Sequence, residues 1–139
     1  MPPIRILVVE DFVPFRRFIC SKLEEQHDLE VICQVSDGLE GVQRAKELQP
    51  DLVLLDVGLP TLNGIEAARQ IRKISPDSKI IFVSQESSCE VVQEALSIGA
   101  RSYVVKTRAG TDLLPAVEAV LGGKKFVSSG LQVTPGDAI

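Results

Sequence analysis

Five polar residues stand at the ends of short apolar runs, and their chemical types are those that phosphoryl transfer uses. Glu10 and Asp11 follow the first run, Asp56 the third, Ser84 the fourth and Lys106 the fifth. Three carboxylates at one place repel one another unless a cation is present, and oxygen ligands without histidine or thiolate suit Mg²⁺. A lysine adds the positive charge that a transferred phosphoryl group requires. Any one of these residues could simply mark where a strand meets solvent, so the prediction depends on the set.

The runs that precede these residues are short and rich in β-branched residues and leucine, which is typical of buried strands. They cover residues 4–9, 29–35, 52–55, 79–83 and 102–105. Amphipathic segments with helical spacing follow them, at residues 13–26, 38–48, 64–74, 88–98 and 110–121. This alternation predicts an α/β fold, with a mostly parallel sheet between two layers of helices. For five strands joined by right-handed crossovers we expect the flavodoxin-like, doubly wound order 2-1-3-4-5.

In such a sheet the functional site lies beyond the carboxyl ends of the strands, so these polar residues should meet at one rim. A carboxylate can itself be the nucleophile and form an aspartyl-phosphate. Asp56 is the candidate because it follows the most apolar run and opens a short loop that contains Gly58 and Pro60. A glycine at that place lets the backbone approach a bound ligand closely.

The composition is that of an acidic globular chain. Its 139 residues carry a net charge of -4, which does not favour direct binding to duplex DNA. The three cysteines have neither metal-ligand spacing nor a disulfide framework, which is typical of free thiols in a reducing compartment. No signal peptide and no apolar stretch of roughly 20 residues is visible, so we expect a cytoplasmic protein without membrane contact. Phe12, Phe15 and Phe18 are expected to pack into the core from the first helix.

Taken in order, these residues resemble the receiver domain of two-component response regulators, over residues 4 to about 121. The segments that carry the resemblance are residues 6–11, residues 51–60 followed by Asn63 and Gly64, Val83 with Ser84, and Gly99 and Ala100 followed by Tyr103 and Lys106. Each segment alone is a weak motif, whereas all of them in order at strand ends are specific. The resemblance implies a signalling switch in a phosphorelay rather than an enzyme, with at most Mg²⁺-dependent autophosphorylation and autodephosphorylation.

The resemblance also assigns roles at the predicted site. Asp56 would accept the phosphoryl group from a partner, which is a sensor histidine kinase or a phosphotransfer protein. Asp11, Asp56 and the backbone carbonyl of Gly58 would bind Mg²⁺ directly, and Glu10 would act nearby through water. Lys106 would pair with one oxygen of the phosphoryl group.

Two further residues would form the switch that responds to phosphorylation. Ser84 would bond another phosphoryl oxygen, and Tyr103 would turn inward or outward as Ser84 moves. The change would reach the face formed by the fourth helix, the fifth strand and the fifth helix, and would control an output such as transcription. The ordinary alternative for Tyr103 is an amphipathic strand residue whose hydroxyl contacts water.

Two positions depart from the family's pattern. Thr107 follows Lys106 where many members have proline, and a cis bond before a residue other than proline costs about 3–4 kcal/mol. Either that bond is cis under strain or the loop has a different shape. Gln85 follows Ser84 where a small residue is more common, so its amide could narrow access to the site or change the rate of dephosphorylation.

The sequence changes character after the fifth helix, which predicts a receiver domain at residues 1–122 and a linker with a flexible end at residues 123–139. Residues 122–131 resemble the segment that follows the receiver in regulators with a LuxR-type helix-turn-helix output. DNA would then be a partner only through an output domain that this chain does not contain. A homodimer could form through the face of the fourth helix and fifth strand, or through the first and fifth helices.

Two other functional classes remain open on the residues alone. A pseudo-receiver would use the same fold as an interaction module that needs no phosphorylation. The intact acids and Lys106 oppose this class, whereas Gln85 and Thr107 leave some room for it. A flavin or nucleotide enzyme would need a hydroxyl- and glycine-rich loop after the first strand, but residues 10–14 place acids there that would repel a phosphate without a metal.

Overall fold

The computed structural model describes residues 2–128, in which the strands form one parallel sheet. The strands are β1 (Ile4–Val9), β2 (Leu29–Val35), β3 (Leu52–Leu55), β4 (Lys79–Ser84), β5 (Ser102–Val105) and β6 (Phe126–Val127). Their order is β2-β1-β3-β4-β5-β6, and every neighbouring pair is parallel. The predicted α/β class and the predicted order of the first five strands are confirmed. The short strand β6 extends that order by one.

The helices connect successive strands and begin close to the predicted positions. They are α1 (Val13–Glu24), α2 (Gly38–Leu48), α3 (Gly64–Ile74), α4 (Cys89–Ser97) and α5 (Ala109–Leu121). Asp37, Asn63 and Ser88 cap three of them, because each side chain accepts a hydrogen bond from the backbone N–H three residues later. Within residues 2–128, no helix combines the length and the apolar character that crossing a bilayer requires.

Two hydrophobic layers, one on each face of the sheet, fix the helices to the strands. Helices α2, α3 and α4 pack on one face, where Phe82 and Tyr103 are fully buried. Helices α1 and α5 pack on the other face, around Ile6 and Leu23. Burying each large aliphatic side chain stabilises the fold by about 1.5–3 kcal/mol. The helices close both faces of the sheet to water. Polar side chains can therefore reach solvent at the ends of the strands.

The loop after β5 resolves the departure at Thr107. No peptide bond within residues 2–128 is cis, so the bond between Lys106 and Thr107 is trans. The chain turns at once into a short 3-10 helix, Lys106–Arg108, that leads into α5. Of the two alternatives that the sequence left open, the loop of different shape is the one observed.

The predicted linker begins as part of the folded domain. Strand β6 pairs with β5 in parallel register, and Ser128 N donates a hydrogen bond to Tyr103 O at 3.0 Å. Phe126 also packs against the core layer of α1 and α5. Residues 129–139 lie outside the described residues, so the flexible end and the domain boundary stay predictions.

Candidate functional site

Three carboxylates meet at the carboxyl end of the sheet. Glu10 and Asp11 follow β1, and Asp56 follows β3, which lies next to β1 in the sheet. One oxygen from each residue lies within 4.8 Å of the other two. Glu10 is 2% exposed and Asp56 is 8% exposed, whereas Asp11 is open to solvent. The structure thus brings together the three acids that the sequence singled out, two of them desolvated and one at the surface.

Lys106 bridges the two buried acids. Its Nζ atom lies 2.8 Å from Glu10 Oε1 and 3.1 Å from Asp56 Oδ2. The same atom lies 4.8 Å from the centre of the Phe15 ring, which is within range of a cation–π interaction. Burial acts to lower the pKa of Lys106, but its hydrogen bonds to Glu10 and Asp56 outweigh burial and raise the pKa. The lysine is therefore a fixed cation at neutral pH.

One lysine does not balance three acids. Burial raises the pKa of Glu10, against the hydrogen bonds that its carboxylate accepts from Lys106 and from Phe12 N. The charge of Asp56 adds to the upward shift. The cluster offers oxygen ligands alone, with no histidine or thiolate among them, and this donor set fits Mg²⁺ better than a soft metal. The acids therefore fit a divalent cation in both charge and ligand type.

Hydrogen bonds and close backbone packing fix the position of Asp56 at the end of β3. Asp56 N donates a hydrogen bond to Val9 O at 3.2 Å, and Gly58 N donates to Asp56 Oδ1 at 3.4 Å. A Cβ atom on Gly64, the first residue of α3, would lie only 1.9 Å from Asp56 O. Glycine is therefore required there, because it lets α3 begin directly against the backbone of the candidate nucleophile. Gly58 is exposed and lines the cleft beside Asp56.

Ser84 and Tyr103 are joined through the backbone of a residue that the sequence did not single out. Ser84 ends β4 and is 1% exposed, and its Oγ atom accepts a hydrogen bond from Glu86 N at 3.2 Å. The Tyr103 ring is buried, and its hydroxyl donates to Glu86 O at 2.7 Å. Burial raises the pKa of Tyr103 to about 12, so the hydroxyl keeps its proton. Glu86 acts here through main-chain atoms, for which residue type gives no signal.

Four of the five strand-end residues line one cleft of about 330 Å³, and Glu10 is buried beside it. The lining residues are Asp11, Phe12, Asp56, Gly58, Ser84, Gln85, Glu86 and Lys106. Gln85 is exposed at its edge, which is the position from which its amide was expected to affect access. An adjoining apolar cleft of about 420 Å³ is lined by Phe12, Phe15, Gln85, Lys106 and Thr107. The expectation that all three phenylalanines of the first helix pack into the core is wrong, because Phe12 is 59% exposed and Phe18 is 42% exposed. The position of Phe12 directly after the acidic pair was the sequence feature that could have predicted an aromatic residue in the wall of the cleft.

The chain is similar in sequence to a known protein family and to proteins of known function. A model of the response regulator receiver domain matches residues 6–118. The transcriptional regulatory protein LiaR of Bacillus subtilis is 36% identical over 126 residues, which are 91% of this chain and 60% of that protein. The response regulator protein VraR of Staphylococcus aureus strain Mu3 is 35% identical over 121 residues, which are 87% of this chain and 58% of that protein. The chain thus spans about three-fifths of the length of these relatives.

Solved structures give the same result for the fold. A LuxR-family two-component response regulator from Aurantimonas superposes with a TM-score of 0.85 at 28% identity, covering 98% of this chain and 93% of that one. The response regulator domain of CheB from Thermotoga maritima superposes with a TM-score of 0.80 at 31% identity, covering 86% of this chain and 97% of that one. The family match extends from β1 into α5 and so includes all the strand-end residues described above. The chain belongs to the family of response regulator receiver domains.

Proposed function

We propose that Asp56 is the phosphoacceptor of a two-component signalling switch and that phosphorylation requires Mg²⁺. The observation that carries the proposal is the contact of Lys106 Nζ with Asp56 Oδ2, at the same rim as Glu10 and Asp11. Lys106 Nζ contacts both Glu10 and Asp56, and Asp11 is exposed beside them, so the rim offers a cation for a phosphoryl group and oxygen ligands for a metal.

Each predicted residue has a separate task in this scheme. Asp11 and Asp56 would hold the metal with the carbonyl of Gly58, and Glu10 would hold Lys106 and reach the metal through water. Bound Mg²⁺ would neutralise charge on the phosphoryl oxygens. Lys106 would neutralise further charge, because its pKa is raised and it stays protonated.

The transfer exchanges one bond to phosphorus for another. A carboxylate oxygen of Asp56 attacks the phosphorus atom, and the bond from phosphorus to the donor's imidazole nitrogen breaks. The product is an acyl phosphate on Asp56 and a free imidazole on the partner, which is a sensor histidine kinase or a phosphotransfer protein in this proposal. The chain contributes positioning and charge rather than a general acid or base, which is typical of phosphoryl transfer.

The switch would begin at Ser84. Its hydroxyl accepts from Glu86 N, so turning toward a phosphoryl oxygen gives up that bond and frees the backbone of the loop between β4 and α4. The same loop supplies the carbonyl that holds the Tyr103 hydroxyl. A change at Ser84 would therefore alter what Tyr103 can bond and so alter the face formed by α4, β5 and α5.

A direct experiment is to incubate the chain with Mg²⁺ and either acetyl phosphate or phosphoramidate, and to measure the intact mass. Phosphoramidate carries the phosphorus–nitrogen bond that a phosphohistidine donor would present. We expect the mass of one phosphoryl group to be added to the wild type and not to Asp56→Asn. Asp77→Asn, a matched change at an exposed aspartate in the turn before β4, should be phosphorylated like the wild type. Addition to the Asp56→Asn chain would contradict the proposal.

The output in this proposal is transcription, through a DNA-binding domain outside this chain. LiaR is named as a transcriptional regulatory protein, and the chain covers 60% of its length. A homodimer through α4 and β5, or through α1 and α5, belongs to the same proposal. Sedimentation of the chain before and after phosphorylation would test the dimer, and an unchanged monomer would remove it.

A pseudo-receiver is the second candidate, and the observation in its favour is Gln85 at the mouth of the cleft. Such a module would fold in the same way but would not use its acids for a metal. Titration with Mg²⁺ separates the two, because the phosphoacceptor should bind the ion in a manner that Asp11→Asn abolishes. A chain that accepts neither Mg²⁺ nor a phosphoryl group would support the pseudo-receiver.

A further inference from the structure

A second polar cluster, centred on the buried pair Asp112 and Ser128, includes Arg108 and Thr111 from the start of α5 and the turn before it. Asp112 in α5 is 7% exposed, and its carboxylate accepts three hydrogen bonds. The donors are Ser128 Oγ at 2.7 Å, Arg108 Nε at 3.1 Å and Thr111 Oγ1 at 3.2 Å. Burial acts to raise the pKa of Asp112, but these three hydrogen bonds outweigh it and lower the pKa. A buried carboxylate with this many partners is a rigid anchor.

The anchor contacts the chain on both sides of Lys106, through the backbone of Val105 and through the side chain of Arg108. Ser128 Oγ, which donates to Asp112, also accepts a hydrogen bond from Val105 N at 3.2 Å. Val105 comes immediately before Lys106, and Arg108, two residues after it, is held by the same Asp112 oxygen. The lysine that contacts Asp56 therefore belongs to a segment tied at each end to the pair formed by Asp112 and Ser128.

Ser128 reaches this position only because the chain after α5 returns to the sheet. Strand β6 is two residues long and pairs with β5, and the backbone N–H of Ser128 continues that pairing to Tyr103 O. The Ser128 side chain is 2% exposed, so water does not replace its hydrogen bonds. The segment after α5 is thus in direct contact with β5, which carries Tyr103 and ends immediately before Lys106.

We infer that Asp112 and Ser128 are positioning residues for the phosphorylation site, which fix Lys106 at the distance where it can pair with a phosphoryl oxygen on Asp56. This inference rests on the proposed function of Asp56. The β6 segment would then help to set the geometry of the site through Ser128. Thermodynamic coupling between two contacts is reciprocal. If the pairing of β6 favours the contact of Lys106 with the phosphoryl group, that contact stabilises the pairing of β6 by the same free energy.

The test measures the binding of the metal and of the phosphoryl group separately. Lys106 would pair with a phosphoryl oxygen, whereas a metal would bind the acids and not the lysine. Calorimetric titration of the whole chain gives the dissociation constant for Mg²⁺ and, at saturating Mg²⁺, that for beryllofluoride, which occupies the place of a phosphoryl group. For Ser128→Ala we expect unchanged Mg²⁺ affinity and beryllofluoride binding weakened about fivefold, because alanine loses both hydrogen bonds that hold the residue before Lys106. Ser128→Thr keeps the hydroxyl and should restore most of the affinity.

Ser97→Ala is the matched control, since it removes an exposed hydroxyl that donates only to the carbonyl of Glu94 in its own helix. It should leave both dissociation constants unchanged. Equal beryllofluoride affinity in Ser128→Ala and the wild type would overturn the inference, and so would parallel losses for Mg²⁺ and beryllofluoride, or a threonine variant as weak as alanine.

Failure of the proposed function would look different. In that case the wild type itself would bind no beryllofluoride with Mg²⁺ present. The local part of the inference has its own readout, because hydrogen exchange at the Val105 amide should be faster in Ser128→Ala than in the wild type. Unchanged exchange there would show that Ser128 does not hold the Lys106 segment.

Discussion

At the scale of single residues, the site is defined by how few positive charges face its acids. Glu10 is nearly fully buried and its pKa is raised, first by burial and then by the charge of Asp56. Its hydrogen bond from Lys106 reduces the shift but does not cancel it. The charged form of Glu10 therefore destabilises the metal-free protein, and a bound cation would offset this destabilisation.

The raised pKa of Glu10 predicts a pH dependence of stability. Between 4.5 and its raised pKa, the folded chain binds a proton at Glu10 more readily than the unfolded chain does. The free energy of unfolding should therefore fall as pH rises through that window in the absence of Mg²⁺. Glu10→Gln should lack this component, so its advantage over the wild type should shrink as pH falls toward 4.5 in urea unfolding series. An equal difference at every pH would contradict the assignment, and Glu30→Gln, at an exposed site on β2, serves as the control.

The Tyr103 hydroxyl gives a second prediction. Tyr103→Phe keeps the buried ring and loses the hydroxyl with its hydrogen bond to Glu86 O, which should cost about 1 kcal/mol of unfolding free energy. Tyr103→Ala removes the ring as well and should cost about 3–5 kcal/mol. Urea unfolding of the two variants beside the wild type measures both values. Equal losses would mean that the hydroxyl, not the ring, provides the stability.

At the scale of the elements, the start of α3 is the feature most closely tied to the site. Gly64 carries no side chain because a Cβ atom would collide with the backbone of Asp56. Gly64→Ala should therefore destabilise the fold by about 1–3 kcal/mol and displace Asp56, which slows phosphorylation. Gly58→Ala is the control for stability, since its Cβ atom would meet nothing within 4 Å, and it should change the unfolding free energy by less than about 0.5 kcal/mol. Similar losses for both variants in urea unfolding would contradict this account.

The elements also show why some of the structure could be predicted from the sequence and some could not. Five strands and five helices follow a periodicity that burial imposes on long segments, so their bounds were predicted to within two residues. Strand β6 was not predicted, because two residues carry no period and their pairing depends on the free edge of β5. The shape of the loop at Thr107 was left open for the same reason, since three residues in a 3-10 turn are decided by tertiary contacts.

The site divides in the same way. Glu10, Asp11, Asp56, Ser84 and Lys106 were predicted from residue type at strand ends. The parallel sheet brings the last four to one cleft and buries Glu10 against Lys106. The role of Glu86 was not predicted, because it is made by main-chain atoms that are the same in every residue type. The Ser128–Asp112 pair was missed because a serine beyond the last helix gives no sign that its chain returns to the sheet.

At the scale of the whole molecule, the proposed metal site would couple folding to the binding of Mg²⁺. A ligand that binds only the folded chain stabilises it by about 2.7 kcal/mol at 100 times its dissociation constant. Mg²⁺ at that level should therefore raise the melting temperature of the wild type, and chelation should reverse the rise. Asp11→Asn should lose the Mg²⁺ effect while keeping nearly the wild-type stability without metal, because Asp11 is exposed. Calorimetric melting with and without Mg²⁺ measures this, and an equal rise in the variant would exclude Asp11 as a ligand.

The claim on which the account depends is that one residue, Asp56, receives the phosphoryl group. The most direct measurement is to phosphorylate the chain with acetyl phosphate and Mg²⁺, reduce the acyl phosphate with borohydride, and locate the reduced residue by fragment mass spectrometry. If Asp56 is the phosphoacceptor, reduction occurs at position 56 and at no other carboxylate. Reduction at a different acid, or a chain that gains no phosphoryl group while it binds Mg²⁺, would contradict it.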